Sequence, residues 1–158
     1  RILNALEDLF LEGYVKQYFK SHKKREISKS KVYVFDTSYI TFFSKESEDY
    51  GRILENVVFI ELFRRQGDIE NKNIFYHISD ANRECDFIVQ DKGSLEAIQV
   101  CYNLNEKNKE REIDGLIDAL EKCTLKKGII LTLNQQEEIK VSNKTINIIP
   151  VWKWLLNI

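Results

Sequence analysis

The sequence predicts an α/β fold in which a mixed β-sheet has helices on both sides. Two segments rich in β-branched and aromatic residues flank the turn-forming residues 91–94, a pattern typical of a β-hairpin. Residues 128–133 form a nearly continuous apolar run, as expected of a strand covered on both faces. Apolar residues recur with a helical period over 52–66 and over 106–122, on either side of the hairpin. This alternation of helices and strands indicates a sheet with helices packed against its faces.

The chain before the first long helix divides into a helical part and an extended part. Residues 2–11 show a helical period, and segments 14–19 and 31–35 are typical of strands. A helix followed by a hairpin with a basic tip is the pattern of the second half of a winged helix. We therefore expect a partial winged-helix segment with a basic loop over residues 1–30, and the main α/β domain over residues 31–158.

The loop between these two N-terminal strands is strongly basic. From Lys20 to Lys31 it carries several lysines and an arginine against a single acid, Glu26. A local basic surface can contact the phosphates of nucleic acid, although a solvated turn without a partner is the alternative. The candidate nucleic-acid residues are Lys20, Lys23, Lys24, Arg25 and Lys29.

The C-terminal half supplies shorter strands and a final helix. Residues 74–78 and 146–149 are predicted strands, and residues 139–141 are expected to form a short edge strand. Pro150 then opens a final helix over residues 151–156, at a position that proline tolerates.

Composition and charge narrow the functional classes. The 158 residues carry a net charge of −1, so attraction to nucleic acid must come from a local surface. No apolar run is long enough for a membrane helix, and we expect no membrane partner. The three cysteines lack zinc-site spacing and are odd in number for a disulfide framework, which favours a reducing, cytoplasmic setting. No stretch reads Gly, four residues, Gly-Lys-Ser/Thr, so these residues do not bind ATP through that loop.

The chain starts at Arg1 and contains no methionine, so we expect it to be a fragment of a longer protein. The N-terminal helix would then lack upstream helices to cover its apolar stripe. Exposed apolar surface of this kind favours self-association, which makes a homo-oligomer an expected state.

The hairpin gathers polar side chains at its open end. If residues 91–94 form the loop, Gln90 faces Leu95, and the same register sets Asp86 opposite Gln99. Directly opposed residues share one face of a sheet. The polar face at the open end is therefore a candidate functional site. By this register it carries Glu84, Asp86, Gln99 and Cys101, whereas the other face carries Cys85, Phe87, Ile98 and Val100.

The helix predicted over 52–66 has almost no polar face, so its carboxylates need partners. Glu55 and Glu61 lie within the apolar surface, where an unpaired charge is strongly unfavourable. A metal ion would satisfy them, and so would a hydrogen bond to the backbone or to an arginine such as Arg64 or Arg83. Glu55 is the primary candidate, and the secondary candidates are Glu61, Glu84 and Arg111.

A helix carboxylate, a hairpin aspartate and a polar pair on the next strand resemble the PD-(D/E)xK, or restriction-endonuclease-like, family. In that family the acids bind Mg²⁺ or Mn²⁺, and a lysine helps to activate the attacking water. The resemblance implies that Glu55 is the helix acid and Asp86 the aspartate. Gln99 and Cys101 stand at the positions of the second acid and the lysine. Glu55, Asp86 and Gln99 would then hold the metal, and residues 31–158 would have a restriction-endonuclease-like fold.

Motifs along nearly the whole chain are similar to one branch, the nuclease-like C-terminal domain of a large group of prokaryotic AAA-type ATPases. In that group a winged-helix segment follows the ATPase core, which implies an ATP site upstream of Arg1. The role of the group is mostly unassigned. The matching motifs are Lys31–Asp36, Gly51–Val58, Glu61–Leu62, Arg83–Phe87, Ile98–Cys101, Arg111–Ile113 and Ile149–Leu156.

Two positions depart from the family pattern. Gln99 offers a neutral carbonyl oxygen where a carboxylate is expected, which weakens a magnesium site. Cys101 cannot supply a positive charge at pH 7. That role is empty unless Lys107, Lys109 or Arg111 reaches in. We therefore expect a catalytically impaired nuclease-like domain that serves an ATPase in regulation, assembly or DNA contact. The alternatives are an active magnesium-dependent nuclease with a relocated basic residue, and a structural module without a ligand.

Overall fold

A computed structural model of the protein describes residues 11–43, 49–66 and 73–158. The strands in these ranges are β1 (Glu12–Gln17), β2 (Ser30–Val34), β3 (Ile74–Ile78), β4 (Glu84–Asp91), β5 (Ser94–Val100), β6 (Lys127–Thr132), β7 (Glu137–Val141) and β8 (Lys144–Pro150). The helices are α1 (His22–Glu26), α2 (Ser38–Phe43), α3 (Tyr50–Gln66), α4 (Lys109–Lys122) and α5 (Val151–Leu156).

The eight described strands form one mixed sheet in the order β2-β1-β3-β4-β5-β6-β8-β7. The pairs β1–β3, β5–β6 and β6–β8 are parallel, and the other neighbours are antiparallel. Helices α3 and α5 contribute to the apolar core on one face, and α4 contributes to the core on the other. The predicted α/β class, a mixed sheet with helices on both sides, is confirmed.

The central strands are buried on both faces, because each face is covered by helices. Phe87 and Ile88 are adjacent in β4 and have 0% exposure, yet they belong to the cores on opposite sides. Val58 and Phe59 bring α3 onto the first core, and Leu116 brings α4 onto the second. Helix α3 extends over Tyr50–Gln66, in agreement with the predicted helix.

The hairpin has the predicted register and a tighter turn. Gln90 pairs with Leu95, and Asp91 also pairs with Ser94, so the loop has two residues. Its residues Lys92 and Gly93 both have positive φ angles, 46° and 86°. Two-residue hairpin loops favour this conformation because it matches the twist of the flanking strands.

A register shift in β4 alters which side chains share a face. Phe75 pairs with Ile88, whereas His77 pairs with Cys85, so β4 contains one residue more than β3 over this interval. An extra residue of this kind interrupts the alternation of side chains. Cys85 consequently joins Ile88 in the core under α4, and Phe87 joins the core under α3. The prediction that Cys85 and Phe87 share a face is therefore wrong.

The two N-terminal strands are part of the main sheet. Strand β1 pairs antiparallel with β2 over five residues and parallel with β3. Residues 12–34 therefore do not form a helix-and-hairpin unit with few contacts to the sheet, as the winged-helix expectation implied. Gly13 lies within β1, and a Cβ atom there would come within 2.4 Å of the Phe59 ring of α3. The helix predicted over 2–11 lies outside the described residues.

Helix α4 begins at Lys109, three residues later than predicted. A turn precedes it, in which the Asn105 side chain accepts a hydrogen bond from the Lys107 N–H at 2.9 Å. Further along, Gly115 packs against the backbone of β4, since a Cβ atom there would lie 2.1 Å from the carbonyl oxygen of Glu84. This close approach brings the middle of α4 against the open end of the hairpin. Among the described helices, none has the length and apolar character needed to cross a membrane.

Candidate functional site

An open cleft of about 620 Å³ lies at the open end of the hairpin, lined by residues of β2, α3, β4, β5 and α4. The sequence-predicted residues that line it are Glu55, Glu84, Asp86, Gln99, Cys101 and Arg111.

A lysine of β2 occupies the centre of the acidic side chains. The Nζ atom of Lys31 lies 2.6 Å from Glu55 Oε1, 2.5 Å from Glu84 Oε1 and 3.2 Å from Asp86 Oδ1. The expected meeting of Glu55 with Asp86 is therefore observed, and a single cation joins them. The sequence pattern places Lys31 at the end of the basic loop and at the start of the predicted strand 31–35, but gives it no role in the cleft.

Helix α3 holds β2 so that Lys31 reaches the cleft. Asn56 accepts a hydrogen bond from the Val34 N–H at 2.9 Å and donates one to the Val34 carbonyl at 2.6 Å. Tyr33 stacks on Phe59 with ring centroids 4.5 Å apart, and its hydroxyl donates to Glu55 at 2.6 Å. These contacts fix the strand that carries the ammonium group.

Asp86 is buried at the register shift and accepts hydrogen bonds from both sides. The Val100 N–H donates to its Oδ2 atom at 2.9 Å, and Lys31 donates to its Oδ1 atom. Burial, followed by repulsion from Glu55, raises the pKa of Asp86 to about 7, although Lys31 and the Val100 N–H oppose the shift. Burial would lower the pKa of Lys31, but the Asp86 and Glu55 carboxylates raise it well above its ordinary value.

Gln99 is committed to internal hydrogen bonds. Its Oε1 atom accepts from the Asp86 N–H at 3.2 Å, and its Nε2 atom donates to Glu112 Oε2 at 2.6 Å. Glu112 is 6% exposed and also accepts from the Arg111 guanidinium at 2.5 Å. Gln99 therefore connects the hairpin to α4.

The four residues predicted to share a polar face divide between two sides of the sheet. Glu84 turns towards Lys31, while Gln99 and Cys101 face α4. Burial, followed by Glu112, raises the pKa of the Cys101 thiol to about 11, so the thiol is protonated at neutral pH. The side chain of Asn108 donates a long hydrogen bond to its sulfur at 3.5 Å.

Other predicted residues lie elsewhere or have other partners. Glu61 pairs with Arg64 and Arg65 at 2.7 Å, and these bonds, first that of Arg64, lower its pKa to about 2. An arginine partner is the alternative that the sequence allows for Glu61. Lys109 pairs with Glu137 at 3.5 Å and does not line the cleft.

The candidate nucleic-acid residues surround α1. The side chains of Lys20, Lys23, Lys24 and Lys29 are exposed. Arg25 instead lies over the Phe75 ring at 5.1 Å, and its Nε atom is buried. The surface available to a phosphate backbone therefore consists of the four lysines.

Sequence reasoning missed four residues that shape the cleft: Lys31, Tyr33, Asn56 and Glu112. Strand alternation was the available signal for the first two, since residues 31 and 33 share a face of β2. Asn56 interrupts an otherwise apolar helix, and a buried amide of this kind requires hydrogen-bond partners. Glu112 stands among other charged residues at the start of α4, and the available signal for it was its place in the family-like motif Arg111–Ile113.

The donor set does not fit a divalent metal in the arrangement observed. Within the ranges described, no group of three or more His, Cys, Asp or Glu side chains is placed to hold one. The expected ligands Glu55 and Asp86 hold the Lys31 ammonium, and the oxygen of Gln99 accepts a backbone hydrogen bond.

Fold and cleft together define an α/β domain with a partly exposed cluster of carboxylates around an ammonium group. The chain belongs to the family described as Domain of unknown function (DUF4143), whose model matches residues 50–154. It is 46% identical over 145 residues to Uncharacterized protein MJ1544 of Methanocaldococcus jannaschii, covering 86% of this chain and 31% of that protein. It is 27% identical over 157 residues to an uncharacterized protein of Haemophilus influenzae, covering 99% of this chain and 36% of that protein. The chain thus spans about a third of the length of these relatives.

Proposed function

We propose that this chain is the nuclease-like C-terminal domain of an AAA-type ATPase, with a catalytically impaired site, and that it serves the ATPase by contacting DNA. One observation carries the proposal: the helix acid Glu55 and the hairpin acid Asp86 converge on a single cation in the cleft. Convergence of these two acids is the feature that the PD-(D/E)xK resemblance requires. The restriction-endonuclease-like fold belongs to the same proposal.

The impairment follows from the partners of Gln99 and Cys101. Gln99 is bonded to the Asp86 N–H and to Glu112, so its oxygen is not free for a metal. Cys101 is a buried, protonated thiol and supplies no positive charge. Loss of one preorganised charge stabiliser typically lowers a rate by about 100-fold to 1000-fold.

The ATPase part of the proposal rests on the motif resemblance, and the length of the relatives leaves room for a further module. A phosphate-binding loop encoded upstream of Arg1 would support it. A full-length chain without such a loop would contradict it. A cytoplasmic location is part of the proposal, supported by the three free cysteines, which are all buried.

Cleavage of supercoiled plasmid tests the impairment. With Mg²⁺ or Mn²⁺, we expect the wild-type chain to nick plasmid no faster than its Asp86→Ala variant, because any residual cutting would come from a contaminant. Faster nicking by the wild type than by Asp86→Ala would contradict the proposal.

A second candidate function has one observation in its favour. Lys31 is a basic residue beside Asp86, 3.2 Å away, and would be the relocated lysine of an active nuclease. In that case the wild type would nick plasmid when metal is present, and both the Asp86→Ala and the Lys31→Met variants would lose this activity. Equal nicking by all three proteins would leave the impaired domain as the function.

A further inference from the structure

Three carboxylates in the cleft surround one ammonium group, and each N–H donor of that group has one carboxylate to bind. An ammonium carries three N–H donors, and Lys31 Nζ lies within 3.2 Å of an oxygen of Glu55, of Glu84 and of Asp86. The number of donors therefore equals the number of carboxylates.

We propose that Lys31 is the resident cation of this cleft: its ammonium replaces the divalent metal of a nuclease-like site, so that the protein binds no metal there. The comparison with a metal site rests on the proposed function, but the role of Lys31 as counter-ion rests on the contacts alone. The inference explains why the two acids can remain together under the sheet without an external cation.

The position of the ammonium is fixed by the fold. Lys31 belongs to β2. The side chain of Asn56 in α3 holds this strand by hydrogen bonds to both the N–H and the carbonyl of Val34. Tyr33 anchors the same strand by stacking on Phe59 and by its hydrogen bond to Glu55. The Lys31 side chain is only 28% exposed. If the ammonium left the cluster, it would lose its contacts with all three carboxylates. A metal would have to displace it, because two cations a few ångströms apart repel each other strongly.

The cation comes from a part of the chain outside the family match. The model of the family covers residues 50–154, which include Glu55, Glu84 and Asp86 but not Lys31. The carboxylates and their counter-ion therefore belong to two separate segments of the sequence. Removal of the lysine should expose the carboxylates to solvent cations while the matched segment stays intact.

Mn²⁺ binding to Lys31→Met compared with the wild type tests the inference. Methionine keeps the length of the side chain but has no charge. At pH 8 we expect the wild type to show no saturable binding of Mn²⁺ in the cleft by calorimetry or electron paramagnetic resonance. The variant should bind one Mn²⁺ at least tenfold more tightly, and Lys31→Met/Glu84→Gln should lose that gain.

Lys16→Met provides a matched control. Lys16 lies on the neighbouring strand β1 and pairs with Glu26 at 3.0 Å, away from the cleft. It should bind Mn²⁺ as the wild type does, since its loss changes the net charge equally without opening the carboxylate cluster. An equal gain in Lys16→Met would overturn the inference, because total charge alone would then explain the binding.

Two other results would overturn it: saturable wild-type binding that Asp86→Ala removes, or a folded Lys31→Met variant that binds no better than the wild type. If Lys31→Met does not fold, thermal melting of the wild type decides. A melting temperature unchanged by millimolar Mn²⁺ supports the inference, and an increase that Asp86→Ala removes contradicts it. Metal can bind without plasmid cleavage, so the inference and the proposed function can fail separately.

Discussion

At the scale of single residues, the cleft holds more negative than positive charge. Glu55, Glu84 and Asp86 share Lys31, and Arg111 is already paired with Glu112. Arg83, at the rim, pairs with Asp114 and Asp118. Asp86 is the most buried carboxylate of the three, and it is the one whose pKa is raised into the neutral range. A proton on Asp86 therefore relieves the excess charge.

Replacement of Asp86 by asparagine should change the pH dependence of stability. The pKa of Asp86 in the folded protein, about 7, is above the ordinary value of about 3.9. The folded state keeps a proton that the unfolded state has released, so this group lowers the free energy of unfolding as pH rises between those values. Asp86→Asn removes that decrease and can still accept from the Val100 N–H.

Urea unfolding of both proteins between pH 4.5 and pH 8, values chosen to span this window, measures the effect. The free energy of unfolding of the wild type relative to Asp86→Asn should fall steadily with pH across the window. Parallel curves would show that Asp86 ionises normally in the folded protein.

At the scale of elements, α4 and the shifted segment of β4 are fitted to each other. Gly115 allows the helix to approach the Glu84 carbonyl, and Glu84 turns its side chain to Lys31 because of the register shift. The position of the helix and the direction of an acidic side chain are thus linked through one peptide group.

Gly115→Ala should destabilise the protein although alanine favours helices. Its Cβ atom would lie 2.1 Å from the Glu84 carbonyl oxygen, and this backbone atom cannot move aside without shifting β4. Alanine gains about 1 kcal/mol in helix propensity, but overpacking typically costs about 1 to 3 kcal/mol. Because the clash is with a backbone atom, we expect a cost near the upper end of that range and a net decrease in the free energy of unfolding of up to about 2 kcal/mol, measured by urea denaturation.

Gly51→Ala is the control for that measurement. Gly51 is also helical, but the neighbour that its Cβ atom would contact is Asp49 Oδ1 at 3.5 Å, an ordinary distance. It should leave stability unchanged or raise it by up to about 1 kcal/mol. Equal effects of the two substitutions would contradict the close packing of α4 on β4.

At the scale of the whole molecule, charge is nearly balanced and unevenly distributed. The net charge of −1 gives no general attraction to DNA. Exposed lysines nevertheless lie on α1 and on either side of it in the chain, next to the β2 edge of the sheet. We therefore expect this surface to make the proposed contact with DNA.

A triple variant should bind DNA with lower affinity, and by the same factor for every DNA sequence. It carries Lys20→Gln, Lys23→Gln and Lys24→Gln. The slope of log affinity against log salt concentration is negative for a protein that contacts phosphates. Neutralising one lysine that contacts a phosphate should make this slope less negative by about 0.9. Fluorescence anisotropy with duplex DNA at several salt concentrations measures both quantities. A control of equal charge changes Lys126, Lys127 and Lys140, which are exposed on or next to strands towards the opposite edge. Equally weakened binding in both triple variants would assign the effect to net charge rather than to α1. Self-association of the chain remains a separate prediction.

Local patterns in the sequence were sufficient for the fold class and for the hairpin. Apolar periodicity predicted α3, and turn-forming residues predicted the pairing of Gln90 with Leu95. These features depend on neighbours in the chain, so no distant contact is needed to predict them. Glu55 was found because a carboxylate in an apolar helix requires a partner, and Asp86 because it stands at the polar open end of an otherwise apolar hairpin.

The identity of that partner depends on contacts between segments that are distant in the chain. In the sequence Lys31 stands where the basic loop meets the next predicted strand, and its role depends on β1 and β2 joining the sheet beside α3. Likewise, an extra residue in β4 turns Glu84 away from Gln99, and that shift is defined by the pairing with β3. Residue type and the local apolar pattern were enough to identify which groups need a counter-charge. The contacts between separate strands decided which ammonium supplies it, because they bring together residues that are far apart in the chain.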